Sequence, residues 1–236
     1  MSTEYKLNMH KIDDKLRKVT ERIQLAASRV GRNPQSVQLV AVSKTQPASA
    51  IVEAYAWGQR HFGENYLQEA LNKQLELASL VDIQWHFIGP IQSNKTRLIA
   101  EHFSWVHSVD RLKIAQRLSE QRPVQLPDLN ICIQVNIDDE DTKSGVSLQE
   151  LPALAAEIVT LPRLKLRGLM AIPAVAQDLK QQHSAFASLH QALEQLQAQG
   201  YKLDTLSMGM SGDMDAAIAE GATFVRVGTD IFGSRT

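Results

Sequence analysis

The chain has 236 residues, 44% hydrophobic and 22% charged, with a formal net charge of -1, ample apolar material for a globular core. With no basic block and no aromatic-interleaved basic patch, neither nucleic acid nor an anionic membrane is expected as a partner. The single cysteine, Cys132, excludes an internal disulfide, and there is no zinc-ligand spacing, no signal sequence and no bilayer-length apolar run, so the expected address is the cytoplasm.

The first segment carries Leu7, Ile12, Leu16, Val19, Ile23 and Val30 on one stripe, with most of its charges elsewhere. It reads as an amphipathic helix closed by Gly31 and stopped by Pro34, packed across one end or side of the domain. The run Val37-Gln38-Leu39-Val40-Ala41-Val42-Ser43-Lys44-Thr45 follows, short, β-branched and ending in a lysine. Such a run is a strand buried on both faces. Lys44 then reaches the rim of a water-poor interior, where desolvation prepares an amine to form a Schiff base; the plainer reading is a lysine snorkelling out of the core.

From there helices and strands alternate. Helix Ala48–Trp57, closed by Gly58, is followed by a strand at 60–62, Gly63-Glu64-Asn65, a helix at 66–80 and a strand at 84–88. Gly89-Pro90 turns the chain, Ser93 is placed to cap a helix at 95–101, a strand follows at 103–107, then a helix at 110–120 and a strand at 129–136. The acidic loop Asp138-Asp139-Glu140-Asp141 reads as solvated and is assigned no metal. The remaining elements are helix 148–159, strand Leu164–Met170, helix 180–198, strand 203–207, helix 213–220 and strand 223–227. Eight short strands separated by helices, without a linker or composition shift, predict a single α/β domain, a (β/α)8 TIM-type barrel with an extra N-terminal helix. An open doubly wound sheet is the alternative, but no Gly-x-Gly-x-x-Gly follows the first strand.

Barrel chemistry sits at the C-terminal ends of strands. That places Lys44, Asn65, Asn136, Ser207 and Arg226 at or near one mouth, with His86 and His107 read as hydrogen-bonded structural residues. Ser207-Met208-Gly209-Met210-Ser211-Gly212 after strand seven and Gly228-Thr229 after strand eight have the parts of a phosphate cradle. Asp213 would repel a phosphate unless it faces away, and two ordinary turns with a serine cap fit the spacing equally. An amine and an anion site in one mouth suit a ligand with a carbonyl and a phosphate. Pyridoxal 5'-phosphate (PLP) is one such ligand, and a phosphorylated keto-sugar is another.

Several stretches make the chain resemble the PLP homeostasis protein family. They are Leu39-Val40-Ala41-Val42-Ser43-Lys44-Thr45, Phe62-Gly63-Glu64-Asn65-Tyr66 and Trp85-His86-Phe87-Ile88-Gly89-Pro90-Ile91-Gln92-Ser93-Asn94-Lys95. Lys143-Ser144-Gly145, Arg167-Gly168-Leu169-Met170, Leu206-Ser207-Met208-Gly209-Met210-Ser211 and Val225-Arg226-Val227-Gly228-Thr229 continue the match in order. The resemblance implies a barrel like the N-terminal domain of alanine racemase, with PLP held as a Schiff base on Lys44. It also implies Arg226 at the pyridine nitrogen and Asn65 beside the ring or its hydroxyl. Ser207, Gly228 and Thr229, with the backbone of Met210 and Ser211, are expected on the phosphate. Two departures stand out: Gln46 replaces a second lysine common in the family, and Gly212 replaces more usual residues.

Arg226 bears on whether bound PLP would catalyse. A guanidinium keeps the pyridine nitrogen unprotonated and weakens the ring as an electron sink. Racemases with the same arginine use a tyrosine from a C-terminal domain as second base, and this chain is expected to lack that domain. The leading reading is therefore a PLP-binding protein that buffers the cofactor or delivers it to PLP-dependent apo-enzymes, without a catalytic residue and as a monomer. The alternatives are a racemase-like enzyme with Lys44 as sole base and a Schiff-base aldolase acting without PLP. Neither Gln92-Ser93-Asn94-Lys95 nor the Asp138–Asp141 loop is given a role.

Overall fold

A computed structural model describes residues 3–138, 144–174 and 178–233, with side chains from Ile12 onward. Eight parallel strands close in sequence order: β1 (Gln38–Val42), β2 (His61–Glu64), β3 (Gln84–Phe87), β4 (Trp105–Val109), β5 (Leu129–Gln134), β6 (Leu164–Met170), β7 (Thr205–Ser207) and β8 (Phe224–Val227). Between them run α2 (Ala48–Trp57), α3 (Leu67–Glu76), α4 (Thr96–His102), α5 (Leu112–Gln121), α6 (Leu151–Ile158), α7 (Leu179–Ala198) and α8 (Met214–Ala219). The expected barrel is therefore present.

The strands alternate in side-chain direction, as a pleat requires. Leu39 and Ala41 join the layer between barrel and helices, while Val40 joins Trp105, Cys132, Met170 and Phe224 in a separate lumen cluster. The lumen is thus filled with side chains, and a ligand can enter only at the mouth. Burial in this lumen pushes the Cys132 thiol up to about 12, leaving it an inert core residue.

The N-terminal helix α1 (Thr3–Arg29) buries Leu16, Val19, Ile23, Ala26 and Ala27 against α2 and α8 and against α9 (Thr229–Phe232). It lies on the side of the barrel where the chain closes. Val30, placed on the same stripe from sequence, is exposed. Helix α2 ends at Gly58, whose φ of 117° lets its N–H reach the carbonyls of Ala54 and Tyr55.

Several boundaries differ from those expected. Strand β4 starts at Trp105 instead of 103, because Phe103 packs outward beneath Phe87 and its N–H still closes the last turn of α4. Ser93 does not cap a helix with its hydroxyl. It opens a 3-10 turn (Ser93–Lys95), and its carbonyl accepts from the Thr96 hydroxyl and Arg117 Nε. Helix α9 was not expected, since four residues carry no periodic pattern. Asp139, Glu140 and Asp141 of the acidic loop and Lys143 of the quoted motif lie outside the described residues.

At Gly168 of β6 the backbones of β6 and β7 leave no room for a side chain: an added Cβ would stand 1.8 Å from the Thr205 carbonyl oxygen. Gly168→Ala should therefore part the two strands and cost about 3 kcal/mol. The expected readout is a lower urea midpoint at unchanged m-value; an unshifted midpoint would contradict the close approach.

Candidate functional site

Strand β1 aims Val40 and Val42 toward the lumen, and the same phase, continued two residues past the strand, brings Lys44 to the mouth. There a cavity of about 270 Å³ opens, lined by Lys44, Asn65 and Arg226. Met210 and Ser211 from the turn after β7, and Gly228 and Thr229 from the start of α9, line its other side. Seven of the eight residues expected at a ligand thus share one cavity.

The eighth, Ser207, does not line it. Its side chain is fully buried beneath the mouth, where its Oγ accepts from Arg226 Nη1 at 2.8 Å and contacts His107 Nδ1 at 2.7 Å. The last residue of β7 points into the lumen, and the turn beyond it lines the cavity. Met210 lines the cavity, but its N–H is already bonded to Asp213 Oδ1 at 2.6 Å. Asp213 itself is not part of the cavity wall, although its carboxylate holds the Met210 amide. Gly209 lets this turn cross β8: its φ is 91°, its carbonyl accepts from the Arg226 N–H at 2.9 Å, and a Cβ would meet that of Ala217 at 2.5 Å.

Arg226 is buried, donating from Nη2 to the Ala171 carbonyl at 3.0 Å as well as to Ser207. Burial pulls its guanidinium down to about 10, still charged at neutral pH. Below it runs a column of imidazoles. His107 Nε2 meets His86 Nδ1 at 2.8 Å, and His86 Nε2 meets His61 Nδ1 at 2.9 Å. A guanidinium only donates, so the Ser207 oxygen accepts from it, and the hydroxyl shares a further hydrogen bond with His107 Nδ1. The three imidazoles are linked in turn, each by one hydrogen bond to the next. Desolvation holds His107 neutral, with its pKa lowered to about 3 and the Arg226 charge adding to the effect; His86 is pushed well down and His61 down, also by burial. The structural reading of His86 and His107 stands, and His61 joins them.

A second buried network lies on the outer face of the same strands. Lys73 of α3 donates to Glu64 Oε1 at 2.8 Å and to the Ser43 carbonyl at 2.7 Å, and it pairs with Glu69. The Ser43 hydroxyl donates to Glu64 at 2.6 Å, and Glu69 accepts from the Thr45 N–H at 2.6 Å. Both neighbours of Lys44 are therefore tied down, and Thr45 is held at φ 63°, an unusual place for a β-branched residue. Desolvation raises the Glu64 pKa, with Lys73 opposing it. The Asn65 amide oxygen, buried beside the cavity, has no hydrogen-bond partner among the described residues.

The match to known proteins is extensive. The family model for the alanine racemase N-terminal domain covers residues 15–236. A pyridoxal phosphate homeostasis protein of Pseudomonas aeruginosa is 61% identical over 227 residues, 96% of this chain and 97% of that relative. The chain belongs to the pyridoxal phosphate homeostasis protein family. Among solved structures, PipY of Synechococcus elongatus with PLP bound has a TM-score of 0.82 at 41% identity, covering 94% of this chain and all of that one (100%). An alanine racemase from Corynebacterium glutamicum is 17% identical with a TM-score of 0.66, over 91% of this chain and 60% of the racemase, a likeness of fold alone. The family's barrel is thus the one built here.

In this family member the buried imidazoles set a pH dependence. Unfolded histidines take up protons below about 6.5, whereas folded His107 stays neutral to about 3. The unfolded state then binds more protons, so stability falls as pH drops through that window, by about 1.4 kcal/mol per pH unit for each such histidine. Urea midpoints of His107→Gln, followed from neutral to acid pH, should decline less steeply than those of the wild type by about one histidine's worth. Equal slopes would mean that His107 protonates in the folded state.

Proposed function

We propose that this protein holds PLP in the barrel mouth through Lys44 and serves PLP homeostasis by buffering the cofactor or delivering it to apo-enzymes. It does so as a single-domain monomer in the cytoplasm. The observation that carries this reading is one small cavity in which an amine, a buried guanidinium and two glycine-bearing turns face each other. Relatives named for PLP homeostasis and the PLP-bound PipY support it.

The residues fit that cofactor. Lys44 offers the amine, Arg226 has donors beyond those used by Ser207 and Ala171, and the orphaned amide atom of Asn65 awaits a partner. Ser211, Gly228 and Thr229 would hold the phosphate, where first-turn amides of α9 have no acceptor within the helix. Met210 contributes its place in the wall, since its amide is taken by Asp213. Ser207 acts on Arg226 from below. When bound, PLP supplies an aldehyde that condenses with amines and a ring that withdraws electrons.

Two features support a carrier over an enzyme. Arg226, held charged and pointed by Ser207 and the Ala171 carbonyl, donates to whatever acceptor faces it and cannot provide the proton that makes a ring a strong electron sink. Among the described residues lining the cavity, Lys44 and Arg226 are the titratable side chains; no tyrosine, histidine or carboxylate stands across from the amine as a second base. No described helix is long and apolar enough to cross a membrane.

The protein incubated with PLP should show the visible absorption of lysine-bound cofactor, and Lys44→Ala should abolish it. Mixed with a PLP-free enzyme, the loaded protein should restore activity faster than release of PLP into solution permits if it delivers the cofactor, and at the rate of that release if it only buffers it. Turnover of an amino acid that disappears in Lys44→Ala would instead establish the racemase-like alternative. A colourless protein trapped by borohydride only with a sugar phosphate would establish the aldolase.

A further inference from the structure

The extra helix α1 has no part in closing the barrel, yet it is tied to both turns that form the anion side of the mouth. Arg22, on its solvent-edge flank, makes the tie. Its Nη1 donates to the Ser211 carbonyl at 2.8 Å, its Nε and Nη2 grip Asp215 at 3.1 and 2.9 Å, and Nη1 stands 3.6 Å from Asp230. Ser211 lines the cavity, Asp215 lies in the first turn of α8, and Asp230 follows the cavity residue Thr229 in the first turn of α9. One guanidinium therefore bridges the turn after β7 and the turn after β8.

We infer that α1 is a clasp on the anion end of the site and that Arg22 is the positioning residue fixing the spacing of its two turns. This rests on the proposed reading of the mouth as a site for a phosphate-bearing cofactor. Three features support the clasp. The planar guanidinium fork fixes direction as well as distance, which a lysine ammonium would not. The helix carrying it is anchored on both sides of Arg22 by Val19, Ile23 and Ala26, so the fork is presented from a rigid element. At the far end of α8, Arg32 repeats the tie, donating to the carbonyls of Ile218 and Ala222 at 2.6 and 2.8 Å.

Electrostatics point the same way. Asp215 and Asp230 both stand in the helix turns flanking the anion's place, and unpaired they would repel a phosphate dianion. Arg22 offsets both charges while touching neither the cavity nor its contents. Its removal should loosen the two turns and expose the anion to two carboxylates at once. The effect is confined to the phosphate end, since Lys44 and Arg226 are held by the separate networks already described.

The test compares equilibrium binding of PLP and of pyridoxal, which lacks the phosphate, to the wild type, Arg22→Ala, Arg22→Lys and the control Arg17→Ala on the same helix. Arg22→Ala should weaken PLP about tenfold and leave pyridoxal unchanged within about twofold. Arg22→Lys should fall between, and it carries the comparison should Arg22→Ala not fold. Arg17, paired with Asp14 in solvent, should behave as wild type. Equal losses for both ligands, or no loss for either, overturn the clasp while the wild type still prefers PLP. A wild type binding pyridoxal as tightly as PLP would remove the anion site itself, and the clasp with it.

Discussion

The molecule is organised around a cation buried without a carboxylate partner among its described residues. Arg226 sits inside β8, and taking a guanidinium out of water is costly unless its donors are satisfied. Two of them go to Ser207 and the Ala171 carbonyl, and the rest of the group fronts the cavity. Its lowered pKa of about 10 records the cost of burial, and it remains a charge at neutral pH. An arginine in that position demands acceptors from whatever enters the mouth. Beneath it, Ser207 links the guanidinium to a hydrogen-bonded column of His107, His86 and His61. Three neutral imidazoles are the price of one oriented guanidinium.

Lys44 is held by the opposite strategy. Its side chain reaches the mouth, but its neighbours Ser43 and Thr45 are clamped from outside the barrel by Glu64, Glu69 and Lys73. Removing one member of a buried ion pair leaves its partner uncompensated and is more damaging than the pair is stabilising. The network is therefore better understood as a device for geometry than as a source of stability. It holds Thr45 in a left-handed conformation that a threonine resists, and the turn that directs Lys44 inward depends on it. The inner column orients the guanidinium and the outer clamp orients the amine, and β1 and β2 separate the two.

The architecture and half of this chemistry could be read from the chain. Strand Leu164–Met170 and helix Ala48–Trp57 fall where apolar runs and a closing glycine put them. Lys44 was visible because a β-branched run ends on it, and Arg226 because it interrupts Phe-Val-Arg-Val at an inward phase. The site around them was less visible. His61, His86 and His107 lie 25 and 21 residues apart and meet only because β2, β3 and β4 pair in the register Gly63 to His86 and His86 to Trp105. A signal did exist: each is a histidine at the inward phase of a strand, and three such positions on adjacent strands must touch. The depth of Ser207 was less visible, since strands of unequal length end at different depths. A three-residue strand ends below the rim that the turn after it reaches. Lys73 and Glu69 were hidden on a helix face where their spacing looks like an ordinary surface pair.

The inventory of the mouth also bears on what it can do. Holding an aldehyde and a phosphate calls for an amine and donors, and Lys44, Arg226 and the amides of two turns are donors almost throughout. Moving a proton between a substrate carbon and the protein calls for acceptors whose affinity for a proton lies near neutrality. The barrel does possess three such groups, yet all three imidazoles lie below Arg226 and are depressed by burial. The guanidinium stands between them and the cavity and cannot relay a proton, because it does not give one up at neutral pH. The guanidinium thus fronts the cavity and stands over the imidazoles, so that among the described residues lining the mouth no histidine or carboxylate faces Lys44.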